Sequence, residues 1–245
     1  MALLEVQGLS KHFGGLVAND RIDLRVDKGE IVGLIGPNGA GKTTLFNCIA
    51  GFYPPTAGNV QFKGEDITGL PANEICLRGI ARTFQIVRIF KDLSVLDNVM
   101  VGAFSRTNSA ARAKQKALEV LDFCGLAAKK SLLAGGLTIA DKKRLEFTKA
   151  LATDPSLLML DEAIAGLNQT ETAEAVELVK KVRESGITVL LVEHVMEVVM
   201  PISSRVVVLE YGKKIAEDTP EKVIHNEEVI KAYLGDKYHA SRRAH

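Results

Sequence analysis

The sequence predicts an α/β protein with a mostly parallel sheet, an antiparallel β part and a helical subdomain insertion. Fully apolar or nearly apolar runs of strand length recur along the chain, at 31–35, 157–160 and 187–192. Helix-like segments stand between them, and this alternation is typical of a parallel sheet covered by helices. From about 87 to 137 strand-like runs are absent and the apolar spacing becomes helical, which indicates the insertion.

The other elements follow in chain order. Alternating or short strand patterns occur at 3–6, 22–26, 59–63 and 80–84, and a late hairpin joins 205–210 to 213–217. Helical patterns occur at 44–50, 110–124 and 169–184. We therefore expect one domain over 1–245, with a core at 1–86 and 152–236, a helical subdomain at about 87–151 and a disordered tail at 237–245.

Composition excludes several classes of protein. A hydrophobic content of 47% and a charged content of 25% are ordinary for a soluble globular chain. The net charge of +1 and the absence of Trp argue against a nucleic-acid partner. The three cysteines lack metal-ligand spacing, and no segment has the pattern of a signal peptide or the length of a membrane span. Any membrane association is therefore expected through a partner.

A glycine-rich segment directly follows the strand at 31–35 and matches the phosphate-binding pattern GxxxxGK(S/T). It consists of Gly36, Pro37, Asn38, Gly39, Ala40, Gly41, Lys42, Thr43 and Thr44. A strand before it and a helix after it are the context in which backbone N–H groups converge on a phosphate. Lys42 would reach the β- and γ-phosphates, and the Thr43 hydroxyl would bind Mg²⁺. The alternative is a purely structural turn; the context favours binding of a nucleoside triphosphate such as ATP, in a P-loop NTPase (RecA-like) fold.

Polar residues after three other strands predict the hydrolytic half of the site. Asp161 and Glu162 end the apolar run at 157–160, so Asp161 suits the Mg²⁺ sphere and Glu162 suits the general base. His194 follows the strand at 187–192, and Gln85 follows the strand at 80–84 and could reach Mg²⁺ or the attacking water. A solvated Asp-Glu turn and a structural histidine are the alternatives.

These motifs, in this order and spacing, resemble the ATP-binding subunit of ABC transporters over about residues 4–235. Further segments resemble the branched-chain amino acid uptake branch, namely 9–16, 45–47, 81–85, 165–168 and 229–235. The resemblance implies that Phe13 stacks on adenine and that Asn168 faces a second ATPase subunit. It also implies that the insertion receives an integral membrane permease subunit. Three groove residues are candidates, with ordinary packing as the alternative: Arg88, Phe90 and Leu93.

The signature of that family, LSGGQ, is altered here. Residues 133–137 offer a tempting match, but the family's spacing to Arg144 and to 150–151 places the signature at 137–141, read Leu-Thr-Ile-Ala-Asp. Thr138 and Asp141 then predict a capping box for a helix over 138–151. We expect the Asp141 carboxylate to compete with phosphate for the N–H groups there. We hypothesise asymmetric ATP sites in a heterodimer; the rival is a homodimer with both sites impaired.

The resemblance implies an ATPase that energises transport from the cytoplasmic face of the inner membrane as a peripheral subunit. A lipopolysaccharide-export ATPase and a non-transport assembly or regulatory ATPase of the same family are the alternatives, and a small-molecule kinase is disfavoured. A second departure from the family is Ala163, which replaces the usual proline after the catalytic glutamate and is expected to have a minor effect. The resemblance to the uptake branch further implies import of branched-chain or similar amino acids, with solute specificity set by the membrane and binding subunits.

Overall fold

The structure is a computed structural model that describes residues 2–234. Its strands are β1 (Ala2–Phe13), β2 (Leu16–Asp27), β3 (Ile31–Ile35), β4 (Ala57–Phe62), β5 (Glu65–Asp66), β6 (Ile80–Arg82), β7 (Leu157–Asp161), β8 (Thr188–Val192), β9 (Arg205–Glu210) and β10 (Lys213–Asp218). Its helices are α1 (Lys42–Ile49), α2 (Ala72–Arg78), α3 (Val95–Ala103), α4 (Ala110–Phe123), α5 (Ile139–Leu151), α6 (Gln169–Glu184), α7 (Met196–Ile202), α8 (Pro220–Ile224) and α9 (Glu227–Leu234). No helix in this range is both long and apolar enough to cross a bilayer.

The chain divides into two compact units. Unit 1 comprises 2–69 and 190–234 of the described residues, and unit 2 comprises 70–189, so the boundary falls inside β8. The segment predicted as a helical subdomain, 87–151, lies wholly within unit 2, which also contains β6, β7 and α6. The predicted core and subdomain limits remain a prediction, and the expected disordered tail lies outside the described residues.

Unit 1 contains the antiparallel β part. Strands β1 and β2 pair along 12 residues each and turn at Gly14 and Gly15, with β4 on the other edge of β1 and β5 beyond it. Gly14 has a φ of 58°, which a two-residue hairpin turn requires. In the same unit β3 pairs in parallel with β9, and β9 pairs antiparallel with β10. Gly33 lets α7 approach β3, because a Cβ there would lie 2.5 Å from a methyl of Val199.

Unit 2 combines a parallel strand pair with a helical cluster. Strands β6 and β7 pair in register from Ile80 opposite Leu157. Helices α3, α4 and α5 bury one apolar cluster, which includes Val99, Ala117 and Leu145. Small residues on α4 let the helices pack closely, and this packing rather than intrinsic propensity stabilises short helices. Unit 2 therefore contains both a parallel strand pair and a helical cluster with its own apolar core.

Most predicted elements are confirmed, with differences at their ends. The predicted strands at 3–6 and 22–26 cover only one end of two much longer strands, in which exposed polar residues extend the pattern beyond the apolar part. The strand predicted at 80–84 ends at Arg82; Thr83 still donates its N–H to Met159, but its hydroxyl accepts from the Asp161 N–H, and the chain then leaves the sheet. Helices α2 and α7, of seven residues each, were not predicted because they span only two turns.

Candidate nucleotide-binding and hydrolytic residues

The glycine-rich segment at 36–44 forms a tight loop between β3 and α1. Gly36, Gly39 and Gly41 have φ values of 149°, 80° and 97°. A Cβ on Gly36 would lie 2.1 Å from the Leu209 carbonyl oxygen, so the loop passes close to neighbouring backbone there. Gly41 is also the N-cap of α1; no side chain caps this helix and no acidic residue lies in its first turn. The start of α1 therefore suits an anion, since its first N–H groups and the helix dipole both favour negative charge.

Lys42 is the cation of this loop. Its side chain is buried, and its Nζ donates to the carbonyl oxygens of Gly36 at 2.7 Å and Pro37 at 2.9 Å. The ammonium thus lies against the loop that would hold the phosphates. The next two residues differ in exposure: Thr43 is exposed and Thr44 is half-buried. A hydroxyl in that position is a hard oxygen donor of the kind that Mg²⁺ prefers.

A buried asparagine supports the loop from β2. Asn19 is fully buried, and its Nδ2 donates to the Gly41 carbonyl at 3.1 Å. The next residue back, Ala18, has its carbonyl oxygen 2.4 Å from where a Gly41 Cβ would be. Asn19 was not among the residues predicted from the sequence; the available signal was a polar residue within the alternating pattern of β2.

Phe13 ends β1 with an exposed aromatic ring, as the adenine-stacking prediction requires. The Tyr53 ring packs edge-on against it with 5.4 Å between centroids, and the Lys11 ammonium lies 5.0 Å from the Phe13 ring centroid. Edge-to-face and cation–π contacts of this kind restrain a ring. Phe13 is therefore held by neighbours in unit 1 while 42% of its surface stays exposed.

In unit 2 the structure brings two predicted residues together. Gln85 Nε2 donates to a carboxylate oxygen of Glu162 at 2.9 Å. Glu162 is half-buried, and its φ of 49° puts it in the left-handed region, which is uncommon for a residue with a Cβ. The amide of Gln85 therefore orients the carboxylate that was predicted as general base.

Asp161 is buried and forms an ion pair that was not predicted from the sequence. Arg82 donates to its carboxylate at 3.0 Å, and both side chains are more than nine-tenths buried. Burial lowers the pKa of the Arg82 guanidinium, and the Asp161 charge opposes that shift. One carboxylate oxygen of Asp161 already accepts from Arg82. Contact with Mg²⁺ through a water therefore fits Asp161 better than direct coordination of the ion by both carboxylate oxygens. No cluster of three or more His, Cys, Asp or Glu that could hold a metal occurs among residues 2–234.

The predicted site residues thus occur in both units. His194 is exposed in the bend that follows β8, in unit 1, together with Phe13 and the loop at 36–44. Gln85, Asp161 and Glu162 lie in unit 2. Their assignment to catalysis, nucleotide and metal remains a prediction.

Helix α5 begins where the altered signature was placed. Thr138 is its N-cap and accepts from the Asp141 N–H at 3.1 Å, as expected. The prediction of a capping box was wrong in its reciprocal hydrogen bond, from the Thr138 N–H to the Asp141 carboxylate. That carboxylate accepts instead from the Thr138 hydroxyl at 3.0 Å and from Lys129 at 2.5 Å. The carboxylate is thus already engaged by a hydroxyl and an ammonium, which argues against the expected competition for the helix N–H groups.

The alternative signature at 133–137 lies in a turn before α5. Gly135 donates its N–H to the Lys91 carbonyl at 2.9 Å, and a Cβ there would lie 3.1 Å from the same oxygen. Close packing against Lys91 therefore accounts for a glycine at this position. Ile139, within the altered signature, begins α5 with 70% of its surface exposed.

The segment after Gln85 is tied to α3 and α5 by backbone hydrogen bonds, while several of its side chains stay exposed. Buried Glu146 accepts from the Arg88 N–H at 2.8 Å, and Asn98, fully buried, accepts from the Phe90 N–H at 2.8 Å. Burial raises the pKa of Glu146, with the hydrogen bond from Arg88 opposing it. The candidate groove residues Arg88, Phe90 and Leu93 are all exposed.

Asn168, which was predicted to face a second subunit, is exposed and has a structural role as well. It is the N-cap of α6, accepts from the Glu171 N–H at 3.0 Å and donates its own N–H to the Glu171 carboxylate at 3.0 Å. The sequence Asn-Gln-Thr-Glu carried this signal, since an N-cap residue followed by Glu three positions later predicts a capping box.

Comparisons with known proteins agree with the resemblance. Residues 19–165 match the family described as ABC transporter, and 213–239 match the family described as branched-chain amino acid ATP-binding cassette transporter. The chain is 43% identical to the high-affinity branched-chain amino acid transport ATP-binding protein BraF of Pseudomonas aeruginosa, covering 96% of this chain and 98% of the relative. It is 33% identical to the lipopolysaccharide export system ATP-binding protein LptB of Escherichia coli, covering 97% and 99%.

A solved structure shows the same fold. The ADP conformation of an ATP-binding cassette of an ABC transporter superposes with a TM-score of 0.88 at 31% identity, covering 96% of this chain and all of that one.

Proposed function

Because this chain belongs to the ABC transporter family, we propose that it binds and hydrolyses ATP to energise transport through separate membrane subunits. The observation that carries the proposal is the loop at 36–44. It combines three left-handed glycines, a buried lysine and a helix start without a side-chain cap. Such a loop provides N–H groups and positive charge for a polyphosphate and no competing carboxylate.

The residues of unit 1 would bind the nucleotide. Backbone N–H groups of 36–44 would hold the β-phosphate, and Lys42 would move from the loop carbonyls toward the β- and γ-phosphates. Phe13 would stack on adenine with its exposed face. His194 would hydrogen-bond the γ-phosphate or orient the water.

Glu162 would take a proton from the attacking water. The hydrogen bond from Gln85 supports this role, because it leaves the carboxylate half-exposed and fixes its direction. When bound, Mg²⁺ would neutralise phosphate charge; Thr43, Gln85 and Asp161 are the residues that would hold it, Asp161 through water.

Substitution of Glu162 by Gln tests this proposal. Glu162→Gln keeps the size of the side chain and removes the base, so the complex that co-purifies with the tagged chain should still bind ATP and Mg²⁺ but lose the phosphate release that depends on this chain. The matched control is Glu177→Gln, which makes the same change on the exposed face of α6. Retained phosphate release by Glu162→Gln at the rate of the control would refute the assignment.

We further propose that the transported solute is a branched-chain or similar amino acid and that transport is import. The higher identity to BraF than to LptB, 43% against 33%, supports this choice, as does the match of 213–239. The partners would be integral membrane permease subunits and a second ATPase subunit, on the cytoplasmic face of the inner membrane. Tagged chain purified from detergent-solubilised membranes should bring down permeases of amino-acid uptake; lipopolysaccharide-export components in their place would refute it.

The altered start of α5 supports asymmetric ATP sites. Ile139 and Ala140 add side chains at the two positions where the family's signature has glycine, and Asp141 replaces the signature's glutamine. This chain would then hydrolyse ATP together with the signature of a different partner, and its own signature would serve a slow site. Turnover by the chain alone should be low and should rise in the double variant Ala140→Gly/Asp141→Gln. Substantial turnover that the double variant does not change would refute asymmetry.

A further inference from the structure

A lysine on α5 contacts the turn that carries Glu162. Lys143 Nζ donates to the carbonyl oxygen of Glu162 at 3.0 Å and to that of Ala165 at 2.6 Å. One ammonium therefore connects two backbone oxygens three residues apart. Ile164 lies between these two residues and is buried, so apolar packing also holds the turn.

The turn has a conformation that requires such support. Glu162 has a φ of 49°, in the region that residues with a Cβ rarely adopt, and the surrounding structure must over-determine such a residue for it to persist. Residue 163 is alanine, so no proline ring restricts the backbone at the next position. The Lys143 hydrogen bonds act on the carbonyl of the strained residue itself.

Helix α5, which carries Lys143, is itself fixed by packing and by an ion pair. Leu145 and Phe147 are buried, and Arg144 forms an ion pair with Glu174 of α6. A functional carboxylate is held well when the groups that orient it lie on rigid elements. Here the Glu162 backbone is oriented from α5, and its carboxylate is oriented by Gln85.

We propose that Lys143 is a positioning residue for hydrolysis, which holds the Glu162 backbone so that its carboxylate faces the attacking water. The inference rests on the proposed function of Glu162 as general base. Lys143 itself would touch neither nucleotide nor water. Its removal should lower turnover and leave ATP binding unchanged, because the turn loses its restraint while the loop at 36–44 keeps its structure.

The test uses the complex that co-purifies with the tagged chain. Glu162→Gln defines the turnover that depends on this chain's own base. Lys143→Met keeps the length of the side chain and removes the donors, and should lower that turnover by about tenfold or more, since small misplacements of catalytic groups cost up to about a hundredfold. Lys143→Arg restores donors for two carbonyls and should stay within about threefold of wild type.

The matched control is Lys142→Met. Lys142 is the adjacent lysine of α5, and no hydrogen bond joins its ammonium to 162–165 within the described chain. ATP affinity and thermal unfolding are measured for each variant, and Lys143→Gln provides a second variant should Lys143→Met unfold. A fall in turnover at constant ATP affinity, with rescue by Arg, supports the inference.

Two results overturn it. Turnover of Lys143→Met equal to that of Lys142→Met refutes the positioning role alone. So does a loss of turnover that follows a matching loss of ATP affinity or melting temperature and that Arg does not rescue. If Glu162→Gln keeps full turnover, the proposed function fails, and this inference fails with it.

Discussion

Gly41 should be far less tolerant of alanine than Gly39, two residues away in the same loop. Both have positive φ, 97° and 80°, so an alanine at either position takes on left-handed strain of about 1–2 kcal/mol. Only Gly41 has neighbours: its Cβ would lie 2.4 Å from the Ala18 carbonyl oxygen and 2.6 Å from Asn19 Nδ2, whereas nothing lies within 4 Å of a Gly39 Cβ. Backbone must shift to accommodate the methyl group.

Overpacking of this kind costs about 1–3 kcal/mol, and each kcal/mol lowers the melting temperature of a chain of this size by about 2–4 °C. Gly41→Ala should therefore melt about 2–12 °C below Gly39→Ala. Thermal unfolding without nucleotide, followed by far-ultraviolet circular dichroism, measures the difference without any contribution from ATP. Melting temperatures that agree within 1 °C would show that the loop yields to the methyl group and that the contact with Ala18 does not constrain it.

Three further outcomes are expected. Asn168→Ala should lower the unfolding free energy by about 1 kcal/mol through loss of the α6 N-cap, as measured in urea, and an unchanged value would deny the cap its energetic role. Glu146 has a raised folded-state pKa, so wild type should lose stability relative to Glu146→Gln as pH rises above 4.5, the usual Glu value; parallel stability–pH curves for the two proteins would contradict this. Iodoacetamide at pH 8 should modify half-buried Cys76 before Cys48, whose buried thiol has a pKa of about 11, and mass spectrometry of the digested protein would expose the opposite order.

The site motifs were readable from sequence because each depends on local chain geometry. The run Ile31–Ile35 followed by glycines predicts a strand, a turn and a helix start, and the structure has all three. Asp161 and Glu162 likewise follow a run of four apolar residues and lie at the end of β7. Strand and turn chemistry specify such segments without reference to the rest of the fold.

Contacts between segments distant in sequence were not readable in this way. Asn19 supports Gly41 across 22 residues, and Lys143 reaches Glu162 across 19. Nothing in the local pattern marks one lysine of the pair 142–143 as the one that faces the turn; the helical phase of α5 against its neighbours decides it. The reciprocal capping bond of Asp141 was expected wrongly for a related reason, since Lys129 attracts its carboxylate from outside the helix.

The buried ion pair of Arg82 and Asp161 makes these two positions interdependent in evolution and in mutagenesis. Loss of either partner leaves the other charge buried without this counter-charge, a defect that typically costs about 3–5 kcal/mol, whereas a paired exchange for apolar residues is much milder for folding. In a combinatorial library selected for folding, residue 82 should therefore vary only in step with residue 161. In a library selected for transport, residue 161 should remain Asp. Because that carboxylate is buried and needs a counter-charge, residue 82 should then remain a cationic residue.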